Sequence, residues 1–380
     1  MRTSFLRFQQ PTIGKEEEAA VLEVLRSGWL TTGPKALQFE AEFAALIGCG
    51  HAVSVSSCTA ALHLALVALG IGRGDEVITT PVTWPATVNV ILQQGATPVF
   101  VDVEEDTLNL DAGLVENAIT TRTKAILPVH IAGHPCDMDR INRVARSYKL
   151  SVIEDAAHAV GTSYKGRKAG TLGDAGCFSL YPTKNITSGE GGMLTTDSDK
   201  IVEIARTCSF SGIDRSAWNR YSSSGYRHWE VVRLGYKYNM PDILAAIGIE
   251  QLKKLPVFQA RRKRISELYD RLLADAPGVK LPVRKPYAGH GYHLYIIQVQ
   301  PPASRDGVIV ALQAQNIGIG VHFRALHLQL GYQSLGYRRG TLPVAERVSE
   351  RVLSLPLYPY MTVEDVTDVV EAVRSAVSPC

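Results

Sequence analysis

The residues of this chain with the clearest chemical potential are a lysine and an acidic residue upstream of it. Lys184 lies in the Ser-, Thr- and Gly-rich segment FSLYPTKNITSGEGG, residues 178–192, and Asp155 lies in EDAAH, residues 154–158. A lysine amine can form a Schiff base with the aldehyde of pyridoxal phosphate, and a carboxylate can keep the pyridine nitrogen of that cofactor protonated so that the ring accepts electrons. The two residues together therefore predict pyridoxal phosphate chemistry.

Each of these residues also has a plainer interpretation. A lysine in a turn is most often a solvent-exposed charge, and an acidic residue between a strand and a helix is often a helix cap. His158, three residues after Asp155, could contact the 3-hydroxyl of the cofactor ring or could be a structural histidine. The chemical interpretation is favoured because the residues occur together.

A phosphate-binding turn is the next feature that this chemistry requires. Cys58 and Thr59 lie in SSCTAAL, residues 56–62, which opens a strongly helical segment and offers backbone N–H groups and hydroxyls. An ordinary helix N-cap is the alternative for this turn. Ser179 could add another hydroxyl. Trp84 follows a predicted strand and could stack on the pyridine ring, with a core tryptophan as the alternative.

Two other classes of site are rejected. His130 and His134 are four residues apart, but Gly133 and Pro135 interrupt the helix that a metal site with this spacing needs. The run GIGRG, residues 70–74, follows a predicted helix rather than a strand, so it is not a dinucleotide-binding fingerprint. No metal is expected.

The composition is that of an ordinary globular protein, with 46% hydrophobic and 20% charged residues and a net charge of +3. The length of 380 residues favours about two domains. The six cysteines show no paired spacing, which indicates reduced thiols. No apolar segment has the length of a signal-peptide core or a bilayer span. We therefore expect a cytoplasmic protein without nucleic-acid or membrane partners.

Strands and helices are predicted to alternate between about residues 50 and 200, which is typical of a mostly parallel sheet covered by helices. The predicted strands are residues 52–55, 76–80, 98–101, 124–129 and 151–154, and the predicted helices are residues 59–69, 85–94, 111–119 and 137–148. Ligands of such sheets gather at the carboxyl ends of the strands. Asp155 and the turn at residues 56–59 both fall there.

The rest of the chain predicts a helix at the amino end and a second, smaller domain. The further predicted helices are residues 15–26, 241–255, 257–273, 306–315 and 363–377, and the further strands are residues 292–299 and 320–323. We expect a large α/β domain over residues 1–250 and a smaller α+β domain over residues 251–380.

The chain resembles the DegT/DnrJ/StrS family of pyridoxal-phosphate sugar aminotransferases over nearly its whole length. The resemblance rests on the segments quoted above and on SGWLTTGP (residues 27–34), GDEVIT (residues 74–79) and GYKYNM (residues 235–240). The segments at residues 235–239 and 318–324 are most similar to the branch of the family that makes UDP-4-amino-4-deoxy-L-arabinose.

This resemblance implies an aspartate-aminotransferase-like fold, the type I fold of pyridoxal phosphate enzymes, and it implies roles for matching residues. Lys184 is the implied catalytic residue. The implied cofactor-binding residues are Cys58, Thr59, Trp84, Asp155, His158, Ser179, Lys184, Lys237 and Asn239. The implied substrate-binding residues are Thr31, Gly33, Tyr181, His322 and Arg324. In this family the loop corresponding to residues 237–239 reaches the cofactor phosphate of the neighbouring subunit, so a homodimer with shared active sites is implied.

The predicted reaction moves an amino group from glutamate, which leaves as 2-oxoglutarate, to a nucleotide-linked 4-keto sugar such as a UDP-4-keto-pentose. The implied pathway is the synthesis of amino sugars for cell-surface polysaccharide or lipid A. One alternative is a pyridoxal-phosphate sugar dehydratase, although such relatives typically carry histidine in place of Lys184. The other alternative is a non-catalytic, cofactor-binding regulatory homologue.

Overall fold

The computed structural model describes residues 2–214 and 228–378. The α-helices are α1 (Lys15–Ser27), α2 (Pro34–Ile47), α3 (Cys58–Ala68), α4 (Pro85–Gln93), α5 (Met138–Tyr148), α6 (Asp199–Ser209), α7 (Asp242–Leu273), α8 (Arg305–Ala314), α9 (Pro343–Arg351) and α10 (Val363–Val377). The strands are β1 (His51–Val55), β2 (Glu76–Thr79), β3 (Thr97–Phe100), β4 (Thr123–Leu127), β5 (Ser151–Asp155), β6 (Ser163–Tyr164), β7 (Arg167–Lys168), β8 (Ala175–Ser179), β9 (Gly192–Thr196), β10 (Val279–Lys280), β11 (Ala288–Gly289), β12 (Tyr295–Val299) and β13 (Val352–Leu355).

Seven strands form the main sheet, in the order β1-β9-β8-β5-β4-β2-β3. β9 is antiparallel to both of its neighbours, whereas the other adjacent pairs are parallel. Six strands therefore end at one edge of the sheet, and β9 begins at that same edge. This mostly parallel sheet confirms the predicted α/β architecture.

The central strands are hydrophobic because helices cover the sheet on both faces. Every residue of β2, β8 and β9 is buried, as expected for strands that face no solvent. α3, which follows β1, is buried along almost its whole surface, with only Thr59 and Val67 partly exposed. A helix buried in this way holds its first turn in a fixed place at the sheet edge.

A second core surrounds the three-stranded antiparallel sheet β10-β12-β13. It contains residues of α8, α10 and the second half of α7, and also Leu6 from the amino-terminal segment. The Leu6 N–H donates to the Asn316 carbonyl at 2.8 Å, and the Gly318 N–H donates to the Leu6 carbonyl at 2.8 Å. The first residues of the chain thus pack with the last third. The division of the chain near residue 250 stays a prediction.

α7 is one continuous helix, so the predicted break between residues 255 and 257 is wrong. Its 32 residues correspond to a length of about 48 Å. Pro256 lies inside the helix and removes one backbone hydrogen bond. Packing offsets this loss, because Leu255 and Phe258 lie in a core beside the main sheet while Tyr269 lies in the second core.

Two further predicted elements differ from the structure. In place of a helix over residues 111–119 there is only a short 3-10 helix, Glu116–Ala118. Asp111 Oδ1 accepts a hydrogen bond from the Gly113 N–H at 2.7 Å, and such a local side-chain bond competes with helix formation. The predicted strand at residues 320–323 is reduced to a single bridge between Gly320 and Ser354. The sequence patterns did not predict α2, α6, α9, β8, β9 or β13.

The described cysteines, Cys49, Cys58, Cys136, Cys177 and Cys208, are free thiols. Cys380 lies outside the described residues. Across residues 2–214 and 228–378, no helix combines the length and the apolar character that crossing a bilayer would require.

Candidate active site

A cavity of about 590 Å³ opens at the edge of the main sheet where the parallel strands end. Residues 293–294, just before β12, and residues 320–323, which bridge β13 through Gly320 and Ser354, also line it. The predicted site residues that line this cavity are Cys58, Thr59, Trp84, Asp155, His158, Ser179, Tyr181, Lys184 and His322. The fold therefore brings together residues that are up to 264 positions apart in the sequence.

Lys184 lies in the turn that connects β8 to β9, and its backbone N–H donates to the Tyr181 carbonyl at 2.9 Å. Burial in the cavity lowers the pKa of the Lys184 amine to about 8, although Cys58 and Asp155 act in the opposite direction. A lysine in water has a pKa near 10.4. The Lys184 amine is therefore neutral, and able to act as a nucleophile, in a much larger fraction of molecules at neutral pH.

Asp155 ends β5 and is 4% exposed. Its Oδ2 accepts a hydrogen bond from Thr87 Oγ1 at 2.7 Å, and its Oδ1 accepts one from the Ala157 N–H at 3.1 Å. Burial raises the pKa of Asp155, while these hydrogen bonds and the nearby Lys184 oppose the rise. Within the described ranges no cationic group lies within 4.0 Å of it. A buried carboxylate without a counter-charge suits a protonated ring nitrogen.

The first turn of α4 supports Asp155 from one side. Thr87 donates to the carboxylate, so its oxygen accepts from Thr83 Oγ1, which lies 2.8 Å away. Both threonines are buried. Trp84, between them, caps the amino end of α4 and is 64% exposed at the mouth of the cavity. Its indole can thus cover a flat ring whose nitrogen reaches Asp155.

The turn before α3 has the features of a phosphate cradle. Ser57 Oγ accepts from the Ala60 N–H at 3.1 Å, whereas the N–H groups of Cys58 and Thr59 have no acceptor among the described residues. A Cβ atom on Gly192 would lie 2.3 Å from the Ser57 carbonyl carbon. Only glycine lets β9 approach this turn so closely, and the free N–H groups at the helix start suit an anion.

Ser179 and Cys58 border the same cradle from β8 and α3. Ser179 ends β8, pairs in register with Gly192 of β9 and lines the cavity. The Cys58 thiol donates to the Cys177 carbonyl at 3.4 Å, and burial raises its pKa well above the ordinary value. The Cys58 thiol is therefore a packing group and not a nucleophile.

Histidines with a lowered pKa also line the cavity. His158 Nδ1 accepts from the Ala132 N–H at 3.3 Å, which places the His158 proton on Nε2. Burial and the nearby Lys184 lower the pKa of His158 well below its ordinary value. The pKa of His322 is lowered to about 3, again chiefly by burial. His158 can thus donate, through Nε2, to an oxygen in the cavity.

His293 lines the cavity and was not predicted from the sequence. Its ring centroid lies 4.4 Å from that of His158, and its Nδ1 lies 3.1 Å from Asn185 Oδ1. Asn185 Nδ2 donates to the Gly291 carbonyl at 2.6 Å, so Asn185 Oδ1 must accept the His293 proton. No motif marked this histidine, because its neighbours in space, Asn185 and His158, lie more than 100 residues away in the sequence.

The remaining predicted site residues, Thr31, Gly33, Lys237, Asn239 and Arg324, do not line the cavity. Asn239 Nδ2 donates to Thr32 Oγ1 at 2.5 Å, and the Gly33 N–H donates to Asp242 Oδ1 at 2.7 Å. Residues 31–33 and 239 therefore form a neighbouring cluster.

The other two of these residues are cationic. The Lys237 amine lies 4.2 Å from the centre of the Phe210 ring, and Arg324 is exposed. The roles of all five residues outside the cavity stay predictions.

The residues in the cavity fit pyridoxal phosphate. A cradle of free N–H groups, a buried carboxylate, an amine of lowered pKa and an exposed indole lie around one space. These are the groups that would hold its phosphate, its ring nitrogen, its aldehyde carbon and its ring face.

Comparison with known proteins gives the same assignment. A sequence model of the DegT/DnrJ/EryC1/StrS aminotransferase family matches residues 11–374. The spore coat polysaccharide biosynthesis protein SpsC of Bacillus subtilis is 50% identical over 99% of this chain and 98% of its own length.

Several solved structures are similar over 98% or more of both chains. The pyridoxal phosphate form of the putative sugar aminotransferase Spr1654 from Streptococcus pneumoniae superimposes with a TM-score of 0.91 at 33% identity, covering 98% of each chain. Helicobacter pylori PseC, an aminotransferase involved in the biosynthesis of pseudoaminic acid, has a TM-score of 0.91 at 29% identity and 99% coverage of each chain. The chain belongs to the DegT/DnrJ/EryC1/StrS family of sugar aminotransferases, which use pyridoxal phosphate.

Proposed function

We propose that this aminotransferase moves an amino group from glutamate to a nucleotide-linked 4-keto sugar. The observation that carries the proposal is the pairing, in one cavity, of a lysine whose pKa is lowered to about 8 with a buried aspartate that forms no ion pair within the described residues. When bound, pyridoxal phosphate supplies an electron sink that makes the α-proton of an amino acid removable.

Lys184 is the residue that moves this proton. Its amine lies in the same desolvated space as the carbon that must lose and regain the proton, and its lowered pKa brings it near the pH at which proton transfer is efficient in both directions. Asp155, held by Thr87, would keep the ring nitrogen of the cofactor protonated, and His158, whose Nδ1 accepts from Ala132, would donate through Nε2 to the 3-oxygen. Lys184 would thus act through its amine, Asp155 through its carboxylate and His158 through Nε2.

The nature of the acceptor is supported by the relatives. SpsC is named for spore coat polysaccharide biosynthesis and PseC for pseudoaminic acid biosynthesis, and both tasks need amino sugars. We infer that this chain likewise serves the synthesis of cell-surface or lipid A polysaccharide. The segments at residues 235–239 and 318–324 favour a UDP-4-keto-pentose within that class.

The alternatives are a dehydratase and a cofactor-binding regulator. A lysine at position 184 argues against the dehydratase, because that chemistry accompanies histidine at this position. An amine of lowered pKa beside the carboxylate argues against the regulator, since binding alone needs neither a free amine nor proton transfer.

The test begins with the enzyme loaded with pyridoxal phosphate. Adding glutamate without sugar should remove the visible absorption of the lysine-linked cofactor and release 2-oxoglutarate in a stoichiometric amount. UDP-, GDP- and dTDP-linked 4-keto sugars are then added separately, and amination is followed by mass spectrometry. A cofactor spectrum that glutamate leaves unchanged would refute the aminotransferase assignment. Amination of only those keto sugars that carry no nucleotide would refute the proposal that the acceptor is nucleotide-linked.

We also propose a homodimer in which the segment at residues 235–240 completes the cavity of the partner. Within one subunit Asn239 remains outside the cavity, while Leu30 and Leu234 are 46% and 85% exposed. Exposed apolar side chains at such positions are typical of subunit interfaces.

Mixing two inactive variants tests this arrangement. In a mixed dimer of Lys184→Ala and Asn239→Ala, one of the two sites carries both substitutions and the other carries neither if Asn239 acts across the interface. Co-refolded subunits should then regain activity, up to about a quarter of the wild-type value for random pairing. If Asn239 acts within its own subunit, every site is damaged, and the mixture stays inactive.

A further inference from the structure

A second cavity of about 320 Å³ adjoins the active-site cavity at the amino-terminal segment. Phe8, Gln9 and Thr183 line both cavities, so the two spaces meet at these residues. Phe5 and Arg7 line only the second one. Each volume falls within the range of small-molecule sites, roughly 300–1,000 Å³. A substrate longer than a simple sugar can therefore extend from the first cavity into the second.

The charges of the two cavities differ in a way that matters for a phosphorylated substrate. The ionic side chains in the lining of the first cavity are Asp155, Glu190 and Lys184, and Lys184 is committed to the chemistry. Arg7 is an exposed guanidinium in the lining of the second cavity. It forms no ion pair and no side-chain hydrogen bond with any residue in 2–214 or 228–378. Its donors are therefore available to a phosphate group.

The backbone fixes where Phe5 and Arg7 point. Leu6, between them, is buried in the second core, and its segment runs parallel to Ile317. Side chains alternate in extended chain, so Phe5 and Arg7 lie together on the side opposite Leu6. A Cβ atom on Gly318 would come within 2.8 Å of the Phe8 nitrogen. The segment is thus held tightly against the second core while the Phe5 ring remains 62% exposed.

We propose that the second cavity binds the nucleoside diphosphate part of the sugar substrate. The Arg7 guanidinium binds the diphosphate, and the Phe5 ring stacks on the base. The keto sugar lies in the first cavity, with Phe8 and Gln9 at the junction. This inference rests on the proposed function, because it assigns a place to the nucleotide of that substrate.

Kinetics of the Arg7→Gln variant test the diphosphate contact. A hydrogen bond to a charged group contributes about 1.5–3 kcal/mol, so KM for the nucleotide-linked keto sugar should rise about 10- to 150-fold. The rate of the half-reaction with glutamate alone should not change. Arg73→Gln is the control, because Arg73 is equally exposed but precedes β2 at the opposite edge of the sheet. An unchanged KM in Arg7→Gln would overturn the proposal.

Binding of product-like probes to the cofactor-loaded enzyme separates the two contacts. UDP, dTDP and inorganic pyrophosphate are titrated calorimetrically into wild type, Arg7→Gln, Phe5→Ala and Phe5→Tyr. Arg7→Gln should weaken all three probes. Phe5→Ala should weaken only the two nucleotides, and Phe5→Tyr should retain them. Equal affinities in all four proteins would place the nucleotide elsewhere.

The outcome also distinguishes this inference from the proposed function. If glutamate does not convert the cofactor, the aminotransferase assignment fails whatever the probes do. If glutamate and the keto sugar react normally, but Arg7→Gln changes neither KM nor the affinity for the probes, the aminotransferase assignment stands and the proposed nucleotide subsite is wrong.

Discussion

The inner wall and the outer rim of the active-site cavity differ in how completely one chain builds them. On the inner wall, Asp155 and His158 are buried and held by hydrogen bonds from neighbouring residues. On the rim, Trp84 and Tyr181 are 64% and 46% exposed, and Asn239 is hydrogen-bonded outside the cavity. The buried groups of the inner wall are thus positioned by contacts within one chain, whereas the rim presents exposed side chains. Substitutions on the inner wall should therefore slow the reaction, whereas substitutions on the rim should weaken substrate binding.

The largest effect is expected for Lys184→Ala. Loss of the amine removes both the covalent attachment point and the proton carrier, so turnover should fall by about 10⁴-fold or more. Glutamate-dependent turnover and mass spectrometry after borohydride reduction measure the two losses. Lys200→Ala, at an exposed position, should behave as wild type. A Lys184→Ala protein that still transaminates at a tenth of the normal rate would contradict the assignment.

Asp155→Asn should follow, with turnover lowered by about 10²- to 10³-fold, because a neutral amide cannot stabilise the protonated ring nitrogen. The glutamate half-reaction should slow while the bound cofactor remains attached to Lys184. Asp306→Asn, on the exposed start of α8, is the control. Equal half-reaction rates in the two variants would show that the Asp155 carboxylate does not act on the cofactor.

Thr87→Val tests the support of Asp155 without altering the carboxylate. The valine keeps the shape but removes the hydrogen bond of 2.7 Å, which should cost about 1–2 kcal/mol and slow the half-reaction roughly 5- to 30-fold. Thr83→Val acts one bond further away and should have a smaller effect. A larger effect of Thr83→Val than of Thr87→Val would show that the hydroxyls of Thr83 and Thr87 do not act through Asp155.

The pH dependence of cofactor attachment reports the environment of Lys184. The neutral amine is the reactive form, so the rate at which the apoenzyme binds pyridoxal phosphate covalently should rise with pH and level off above about 8. An amine with an ordinary pKa would keep gaining reactivity to about pH 10.4. Absorbance-monitored attachment across pH 6 to 10, at roughly constant ionic strength, distinguishes the two curves.

Arg324→Gln on the rim should have the smallest effect. Arg324 lines neither the active-site cavity nor the second cavity, so any contact with the substrate lies outside both and contributes about 0–1 kcal/mol. KM for the nucleotide sugar should rise less than about fivefold, with no change in the glutamate half-reaction. A large loss in that half-reaction would mean that the rim takes part in the chemistry.

The same division explains which parts of the site could be predicted. Asp155 ends β5, a strand that its hydrophobic run predicts. Lys184 was identified instead from its Ser-, Thr- and Gly-rich segment, because β8 before it was not predicted. Thr87 and His293 are equally close to the chemistry, but nothing local marks them. Thr87 lies on a helix without any local motif, and the contact of His293 with Asn185 joins residues 108 positions apart in the sequence.

Errors in the predicted elements have physical causes of the same kind. Pro256 is a local signal against a helix, but the packing of α7 on two cores outweighs it. At residues 111–119 the opposite holds: Ala112 and Val115 are buried in a core, but the Asp111 carboxylate binds the Gly113 N–H and only a short 3-10 helix forms. Tertiary packing decided the first case and local bonding decided the second.

The packing of residues 2–6 against α10 and Ile317 has consequences for the synthesis of the protein. Arg2 forms ion pairs with Asp365 and Asp368 of α10, and Leu6 pairs with Ile317. During synthesis on a ribosome, residues 2–6 are made long before Ile317 and α10, which they contact in the folded protein. All strands of the main sheet, in contrast, are present once residue 196 has been added. The amino terminus also leads directly to Phe8 and Gln9. A bulky group attached near residue 2 would therefore lie close to the lining of the active-site cavity.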